Sequence, residues 1–189
     1  HLPFVRVGFA ELLLIGGGFS VLAGILATWY WPMALVALAC ALEVFWFFRN
    51  PRRVPPLEPG LMIAQADGRV VAIEEIYDEF VQGPAVRIDI FLSVFNVHVN
   101  RLPCDACVVG LSYRPGRFTN ALRPAASREN EQLEIRLEET AAPHRPLIVR
   151  QIAGAIARRI VCWLAPGDTA QRGEALGMIK LGSRTELVL

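Results

Sequence analysis

Two long apolar segments in the first fifty residues constrain this chain more than any other feature. Residues 7–28 carry a single charged side chain, Glu11, and residues 31–48 also carry only one, Glu43. A bilayer crossing takes about 20 apolar residues, so the first segment is long enough and the second lies near the lower limit. The short aromatic turn at 29–32 suits a membrane–water interface. The pattern therefore predicts an antiparallel helical hairpin in or on a membrane.

The charges at the ends of this hairpin predict its orientation. Glu11 lies near the start of the first helix and Glu43 near the end of the second, so both lie at the open end. Four arginines flank the same end: Arg6, Arg49, Arg52 and Arg53. Because cytoplasmic flanks are enriched in Lys and Arg, we expect an inner or cell membrane location with the rest of the chain on the cytoplasmic side.

Small residues predict how the two helices pack. Gly16, Ser20 and Gly24 recur at every fourth position of the first segment, and Ala37 and Ala41 offer a matching face on the second. Faces of this kind let helices approach closely.

The apolar segments allow two other interpretations. A cleaved signal peptide is disfavoured by the second apolar segment and by the retained arginines. The other alternative is a buried helical hairpin in a soluble core. Whether the helices cross the bilayer or enter one leaflet is left open by the residues.

The pattern changes to strands after residue 50. Prolines mark an extended linker over residues 51–60, and residues 61–189 are predicted to form a separate, β-rich domain. Short apolar runs bounded by Gly, Pro, Asn or Asp are typical of strands, and several alternate with period two. The predicted strands are 70–73, 86–90, 108–113, 133–137, 147–152, 159–164 and 186–189. We therefore predict a mainly β fold, a compact antiparallel domain that is sandwich-like or barrel-like.

The net charge argues against nucleic-acid binding, and the cysteine spacing does not define a functional site. The net charge is +1, from 19 basic and 18 acidic residues, so no electrostatic footprint for nucleic acid is present. Cys104 and Cys107 form a C-x-x-C, which is found in redox pairs and in half zinc sites. A second ligand pair is absent from the sequence and Cys162 stands alone, so we interpret the motif as incidental and predict no metal.

Seven stretches taken in order carry a family resemblance. They are FFRNPRR at 47–53, AQADGRVV at 64–71, NVHVNRLP at 96–103, GRFTNA at 116–121, ENEQ at 129–132, IAGAIARRI at 152–160 and GMIKLGSRTELVL at 177–189. In order and spacing they resemble the short bacterial and archaeal type of phosphatidylserine decarboxylase. The resemblance covers nearly the whole chain, including the apolar hairpin.

The resemblance implies a self-made cofactor. In this family the Gly-Ser bond of a terminal motif breaks and the serine becomes a pyruvoyl group, and here that bond joins Gly182 and Ser183. The implied activity is decarboxylation of phosphatidylserine in the bilayer to phosphatidylethanolamine. The large and small chains are expected to stay associated, and a homo-oligomer is left open.

The resemblance also assigns roles to His98 and Asp67. A serine hydroxyl needs a base held by an orienting group, and these two residues are the candidates for activating Ser183. On the residues alone, His98 reads as a half-buried strand histidine and Asp67 as a turn residue before glycine. Longer relatives carry a second histidine at the position of Arg101, so the division of labour between cleavage and decarboxylation stays open.

Substrate contacts and rival functions complete the predictions. Arg117, Asn120 and Asn130 lie in family-like stretches and are candidates for binding the lipid phosphate. One rival is a decarboxylase of archaetidylserine or of another amino-bearing lipid. The other rivals are a non-cleaving, membrane-tethered lipid-binding β module and a biotinyl- or lipoyl-type carrier, in which Lys180 would be the modified residue.

Overall fold

The computed structural model describes residues 4–5, 8–56, 58–155, 159–180 and 182–189. The chain divides into two compact units, His1–Arg52 and Arg53–Leu189. Each unit is described by itself.

The first unit is a pair of apolar helices. Helix α1 spans Phe9–Ala27, with α-helical Phe9–Glu11 and Gly17–Ala27 on either side of a π-helical stretch over Leu12–Gly16. Helix α2 spans Trp31–Phe47 and begins with Pro32 in its first turn, where a missing N–H costs nothing. Helix α1 has 19 residues and a mean hydropathy of 2.0, so it is long and apolar enough to cross a membrane, while α2 is a shorter apolar helix.

The packing of the small residues differs in part from the prediction. Gly16, Ala37 and Ala41 are buried, and Gly16 lies against the side chains of Val44 and Phe45. Ser20 and Gly24 are exposed, and no atom outside the local helix lies within 4 Å of a β-carbon built on Gly24, so the predicted four-residue repeat was wrong beyond Gly16. A π-helical turn holds one extra residue, so the side chains that follow it point in different directions around the helix axis than in a regular α-helix. As a result, Ala23 is the buried small residue in the part of α1 after Gly16.

The second unit is built almost entirely from antiparallel strands. They are β1 Arg69–Asp78, β2 Gly83–Leu92, β3 Val99–Arg101, β4 Ala106–Arg114, β5 Gln132–Glu139, β6 Pro146–Ala153, β7 Arg159–Cys162, β8 Thr169–Ala170, β9 Ala175–Lys180 and β10 Ser183–Val188. A short helix, α3, spans Ala126–Glu129. One sheet has the order β1-β2-β10-β6-β5-β4-β8 and the other the order β3-β9-β7. The mainly β prediction is confirmed, and since β1 and β8 end the larger sheet, it is not closed into a barrel.

Each of the seven predicted runs overlaps a strand, whereas β3, β8 and β9 were not predicted. β3 and β8 are too short to show a period. β9 is buried on both faces, so it lacks the alternation that marks a half-buried strand. β2 ends at Leu92, and a loop leads from there to His98.

The main core lies between the two sheets. Leu187 of β10, Val149 of β6 and Ile135 of β5 pack with Leu176 of β9 in one buried cluster. Because side chains alternate along a strand, this inner face of β10 also carries Ser183 and Thr185. On the outer face Val188 packs with Ile148, against partly buried side chains from the β1–β2 hairpin.

Within the second unit, Arg172 ties the segment before β1 to the rest of the unit. Its guanidinium donates hydrogen bonds to the backbone carbonyls of Pro56, Glu58 and Leu61. Its own backbone N–H donates to the Asp105 carboxylate at 2.7 Å. Two residues of the predicted linker, Pro56 and Glu58, are therefore hydrogen-bonded to Arg172 of the second unit.

Candidate active site

The Gly182-Ser183 bond lies at the start of β10, in the middle of the larger sheet. Ser183 is paired with Leu92 of β2 on one side and with Ala153 of β6 on the other. Its side chain is fully buried, and its Oγ has no hydrogen-bond partner among the described residues. Gly182 has φ +63°, a left-handed conformation that glycine adopts without a steric cost.

His98 lies beside this bond, immediately before β3, and is fully buried. The Gly182 backbone N–H donates to His98 Nε2 at 3.2 Å, and His98 Nδ1 lies 3.0 Å from the Asn96 carbonyl oxygen. A backbone N–H can only donate and a carbonyl can only accept, so the proton resides on Nδ1 and the lone pair on Nε2. In this tautomer the Nε2 lone pair faces the backbone N–H of Gly182, the residue on the acyl side of the Gly182-Ser183 bond.

Gly154 is a site residue that the sequence interpretation missed. A β-carbon built on Gly154 would lie 2.0 Å from the Gly182 carbonyl oxygen and 2.9 Å from its carbon. Only glycine lets the two backbones approach this closely. The signal was present, since Gly154 follows the β6 run in IAGAIARRI, but a glycine at a strand end also reads as an ordinary turn.

Asn130 holds the backbone around the site. Its Oδ1 accepts hydrogen bonds from the Thr119 N–H and hydroxyl, and its amide donates to the Thr119 and Ala153 carbonyls at 2.8 Å and 2.7 Å. The side chain is fully buried. The Asn130 carboxamide thus makes all of its hydrogen bonds within the protein. Its bond to the Ala153 carbonyl fixes the end of β6 next to Ser183.

Asp67 lies in a charged cluster with two arginines. It forms an ion pair with Arg53, and both side chains are partly exposed. Burial, and then repulsion from Arg53, lower the pKa of Arg101, while the nearby Asp67 carboxylate acts in the opposite direction. Asp67 therefore sits beside Arg101, and the carbonyl of Asn96 occupies the His98 ring nitrogen that an orienting carboxylate would bind.

A cavity of about 280 Å³ lies against Gly182. Its lining is mostly apolar and comes from the end of β2 and from the segments that follow β2, precede α3, follow β6 and precede β10: Phe91, Ser93, Val94, Asn120, Ala121, Ala155 and Gly182. Asn120 accepts the Leu122 N–H through Oδ1 at 3.0 Å, and Arg117 pairs with Glu129 at 3.6 Å. Of the three predicted phosphate contacts, only Asn120 lines this cavity.

Buried amides continue the inner face away from Ser183. Gln65 donates to the Thr185 hydroxyl at 3.1 Å, and Gln151 donates to Asn100 of the smaller sheet at 2.6 Å. The side-chain oxygens Oε1 of Gln65 and Gln151 have no hydrogen-bond partner among the described residues. No sequence pattern indicates these pairs, because each partner lies far away along the chain.

The outer face next to Ser183 carries a buried ion network. Arg184 pairs with Asp89 of β2 and lies 3.7 Å from Glu186. Arg150 of β6 joins Glu186 at 3.6 Å, and it also reaches Asp78 and Glu134 at 2.9 Å each. Burial opposes the charge on Arg150, but these carboxylates outweigh it and raise its pKa. The charges on the central strand are therefore paired.

Cys104 of the C-x-x-C is buried in the core. Burial, with a smaller contribution from Glu139, raises the pKa of this thiol to about 11. The thiol therefore stays protonated near neutral pH, which makes it a poor nucleophile and metal ligand. Across the described part of the chain, no group of His, Cys, Asp and Glu is arranged to hold a metal ion.

Comparison with known proteins assigns the family. The phosphatidylserine decarboxylase family model matches residues 41–189. The phosphatidylserine decarboxylase proenzyme of Rhodopirellula baltica is 52% identical over 188 residues, covering 100% of this chain and 78% of that protein. Those of Syntrophus aciditrophicus and Carboxydothermus hydrogenoformans are 42% and 41% identical, over 83% and 100% of this chain and 73% and 85% of theirs. The chain belongs to the phosphatidylserine decarboxylase family, a family of decarboxylating enzymes, as the resemblance predicted.

Proposed function

We propose that this chain converts phosphatidylserine to phosphatidylethanolamine at the cytoplasmic face of the cell membrane, with a pyruvoyl group that it makes by cleaving itself between Gly182 and Ser183. The observation that carries the proposal is the buried Ser183 Oγ next to a left-handed Gly182 whose N–H meets the unprotonated Nε2 of His98. The names of the relatives, all proenzymes, support it.

The first step is an N-to-O acyl shift. Ser183 Oγ attacks the Gly182 carbonyl carbon, and its proton passes to His98 Nε2 as that nitrogen exchanges its hydrogen bond with the Gly182 N–H for one with the Ser183 hydroxyl. The carbon–nitrogen bond then breaks, His98 returns the proton to the new amine, and an ester joins the two parts. His98 already has the tautomer for this task, and the Asn96 carbonyl holds its ring in place.

The surroundings of the scissile carbonyl favour this step. Gly154 lets the Gly182 carbonyl lie in a position that a side chain would block. Asn130 fixes the neighbouring Ala153 carbonyl, so the wall against which the carbonyl lies is rigid. Positioning of reacting atoms in this way replaces entropy that would otherwise be lost in the transition state.

The second step turns the ester into a ketone. Removal of the Ser183 α-proton breaks the bond between Cβ and Oγ of Ser183. Oγ leaves as part of the Gly182 carboxylate, and a double bond forms between Cα and Cβ of the former serine. Tautomerisation and addition of one water then release ammonia. The products are one chain that ends at Gly182 and a second that begins with the pyruvoyl group.

The residues around Ser183 fit this group and the head group of the substrate. When formed, the pyruvoyl ketone bonds the substrate amine and accepts the electrons left as carbon dioxide departs. His98 is placed to hold the proton that the product needs. The cavity beside Gly182 has room for a small polar head group, and Asn120 offers it a polar contact. We assign Arg117 to binding the lipid phosphate at the cavity mouth. Asp67 balances the positive charges of Arg53 and Arg101. Asn130 positions the backbone next to Ser183.

The mass of the purified chain tests the proposal. We expect two polypeptides, the large one ending at Gly182 and the small one lacking a free amino terminus. Ser183→Ala should stay intact and inactive. The matched control is Ser112→Ala, at an exposed position on β4, which should cleave like the unchanged protein. A chain that stays whole while decarboxylating phosphatidylserine, or cleavage that survives Ser183→Ala, would refute the mechanism.

A further inference from the structure

We infer that the rim of the active-site cavity is itself a membrane-docking surface, which places the cavity mouth on an anionic bilayer. The rim is defined as five exposed residues that each lie within three positions of a lining residue along the chain: Phe95, Arg117, Phe118, Leu122 and Arg123. The inference rests on the proposed function only in that the substrate is a bilayer lipid. It concerns the β unit alone and adds a second membrane contact to the apolar helices.

Large apolar side chains are exposed on both loops that line the cavity. Ser93 and Val94 line it from one loop, and the next residue, Phe95, is 64% exposed. Asn120 and Ala121 line it from the other loop, where Phe118 and Leu122 are 39% and 51% exposed. Single exposed apolar residues are common on protein surfaces. Here three of them flank one cavity, which is the pattern of an interaction site.

Hydrogen bonds hold these loops in shape. The Asn96 side chain accepts from the backbone N–H and the hydroxyl of Ser93 at 2.9 Å and 2.7 Å, which closes a turn with Phe95 inside it. The Asn120 carboxamide accepts the Leu122 N–H, and Asn130 accepts the Thr119 N–H next to Phe118. The loops therefore present their apolar side chains without first having to be ordered, which lowers the entropic cost of docking.

The charge around the rim matches an anionic surface. Segment 114–129 carries four arginines and a single carboxylate, Glu129, and residues 93–97 carry no charge. The Arg117 side chain is 77% exposed and Arg123 is exposed as well. Aromatic and aliphatic side chains next to arginines are characteristic of surfaces that insert into the head-group region.

Access to the substrate makes a bilayer the occupant that fits best. The cavity accommodates a head group, whereas the acyl chains of the lipid have to stay in an apolar medium. A head group can enter while the chains stay in the membrane only if the mouth faces the bilayer. A protein partner would also cover Phe118, but it would close the mouth to the lipid.

Site-specific photocrosslinking in the full-length chain tests the surface. The photoreactive amino acid p-benzoylphenylalanine replaces Phe95 or Phe118, one position at a time, in protein reconstituted into vesicles of phosphatidylcholine and phosphatidylglycerol. The control position is Tyr77, which is 74% exposed. Tyr77 pairs near the far end of the β1–β2 ladder, about 25 Å along the strand from Phe91 at the cavity. The apolar helices keep every variant on the vesicle, so the experiment reports local contact.

We expect lipid adducts at positions 95 and 118 and few at position 77. Replacing both Arg117 and Arg123 by Gln should lower the yield at position 118 roughly tenfold in the anionic vesicles and leave it unchanged in pure phosphatidylcholine. Equal lipid adducts at 77 and 118, or protein–protein adducts at 118, would overturn the inference. Repeating the measurement with Ser183→Ala separates the two proposals, because docking does not require cleavage.

Discussion

The two faces of strand β10 bury polar groups in opposite ways. The inner face carries Ser183 and Thr185, which are uncharged, and Ser183 Oγ has no hydrogen-bond partner among the described residues. The outer face carries Arg184 and Glu186, which are charged and lie in a network of ion pairs. Both faces are almost fully buried. Adjacent residues on one strand thus bury a neutral hydroxyl on one side and paired charges on the other.

The difference shows how a strand can be both reactive and firmly held. An unsatisfied hydroxyl is costly in a protein interior, and that cost is tolerated at sites of chemistry. A buried charge without a partner costs more, and on the outer face each charge has one. We therefore expect changes on the inner face to alter cleavage and changes on the outer face to alter stability.

The largest expected effect is on the inner face, at His98. His98→Asn should slow cleavage by about a hundred- to ten-thousandfold, because it removes the base that faces Gly182. The time course of the two cleavage products on a denaturing gel measures this. His144→Asn is the control, since His144 bonds the Glu139 carbonyl well away from the site. Similar cleavage rates in the two variants would mean that another group is the base.

Gly154→Ala should slow cleavage by about a hundredfold while leaving the sheet folded. The new methyl group would have to displace the Gly182 carbonyl by about 1 Å, and misplacement of that size has costs of this order in enzymes. The control is Gly83→Ala, because no atom lies within 4 Å of a β-carbon built on Gly83. Normal cleavage of the Gly154 variant, measured by intact mass over time, would show that the carbonyl is free to move.

On the outer face, Arg184→Met should destabilise the protein by about 1.5–3 kcal/mol, since the buried Asp89 loses its charged hydrogen bond to Arg184 and keeps only its pair with Arg87. Thermal unfolding in detergent measures the loss. The double variant with Asp89→Asn should recover part of it, because the buried carboxylate is then replaced by a neutral amide. If the cleavage rate of the folded single variant fell as much as that of His98→Asn, the division of labour between the faces would be wrong.

The smallest expected effect is a pH dependence in the core between the sheets. The pKa of Cys104 is raised from 9.0 to about 11, so the folded state holds its proton more tightly than the unfolded state. The stability from this thiol is complete below pH 9 and is lost between pH 9 and 11. The thiolate absorbance of the native protein minus that of Cys104→Ala should rise near pH 11. A midpoint near 9 in protein that is still folded would contradict the burial of the thiol.

Sequence patterns predicted the parts of the fold that depend on local alternation. Ile88 and Ile135 lie in strands with one buried and one more exposed face, and such strands were found. β9 was missed because both of its faces are buried, which removes the period. The apolar hairpin was predicted from length and charge, but the π-helical turn that shifts its packing depends on tertiary contacts.

The site was less predictable from residue patterns. Ser183 and His98 were named through a family resemblance, since nothing in their local sequence indicates that distant segments meet. Asn130 was expected at the substrate, yet its hydrogen bonds lie within the protein. Gly154 and Arg184 were missed because close backbone approach and buried ion pairing exist only once β6 and β10 are side by side.

The position of β10 has a consequence for the timing of maturation. β10 follows every other described strand in sequence, yet it pairs between β2 and β6. β2 and β6 both precede β10 along the chain and have no shared neighbour until β10 is in place. Under the proposed self-cleavage, the Gly182-Ser183 bond lies at the start of the strand that fills this gap, so a partly synthesised chain would lack the cleavage geometry. Cleavage would then report that the larger sheet is complete.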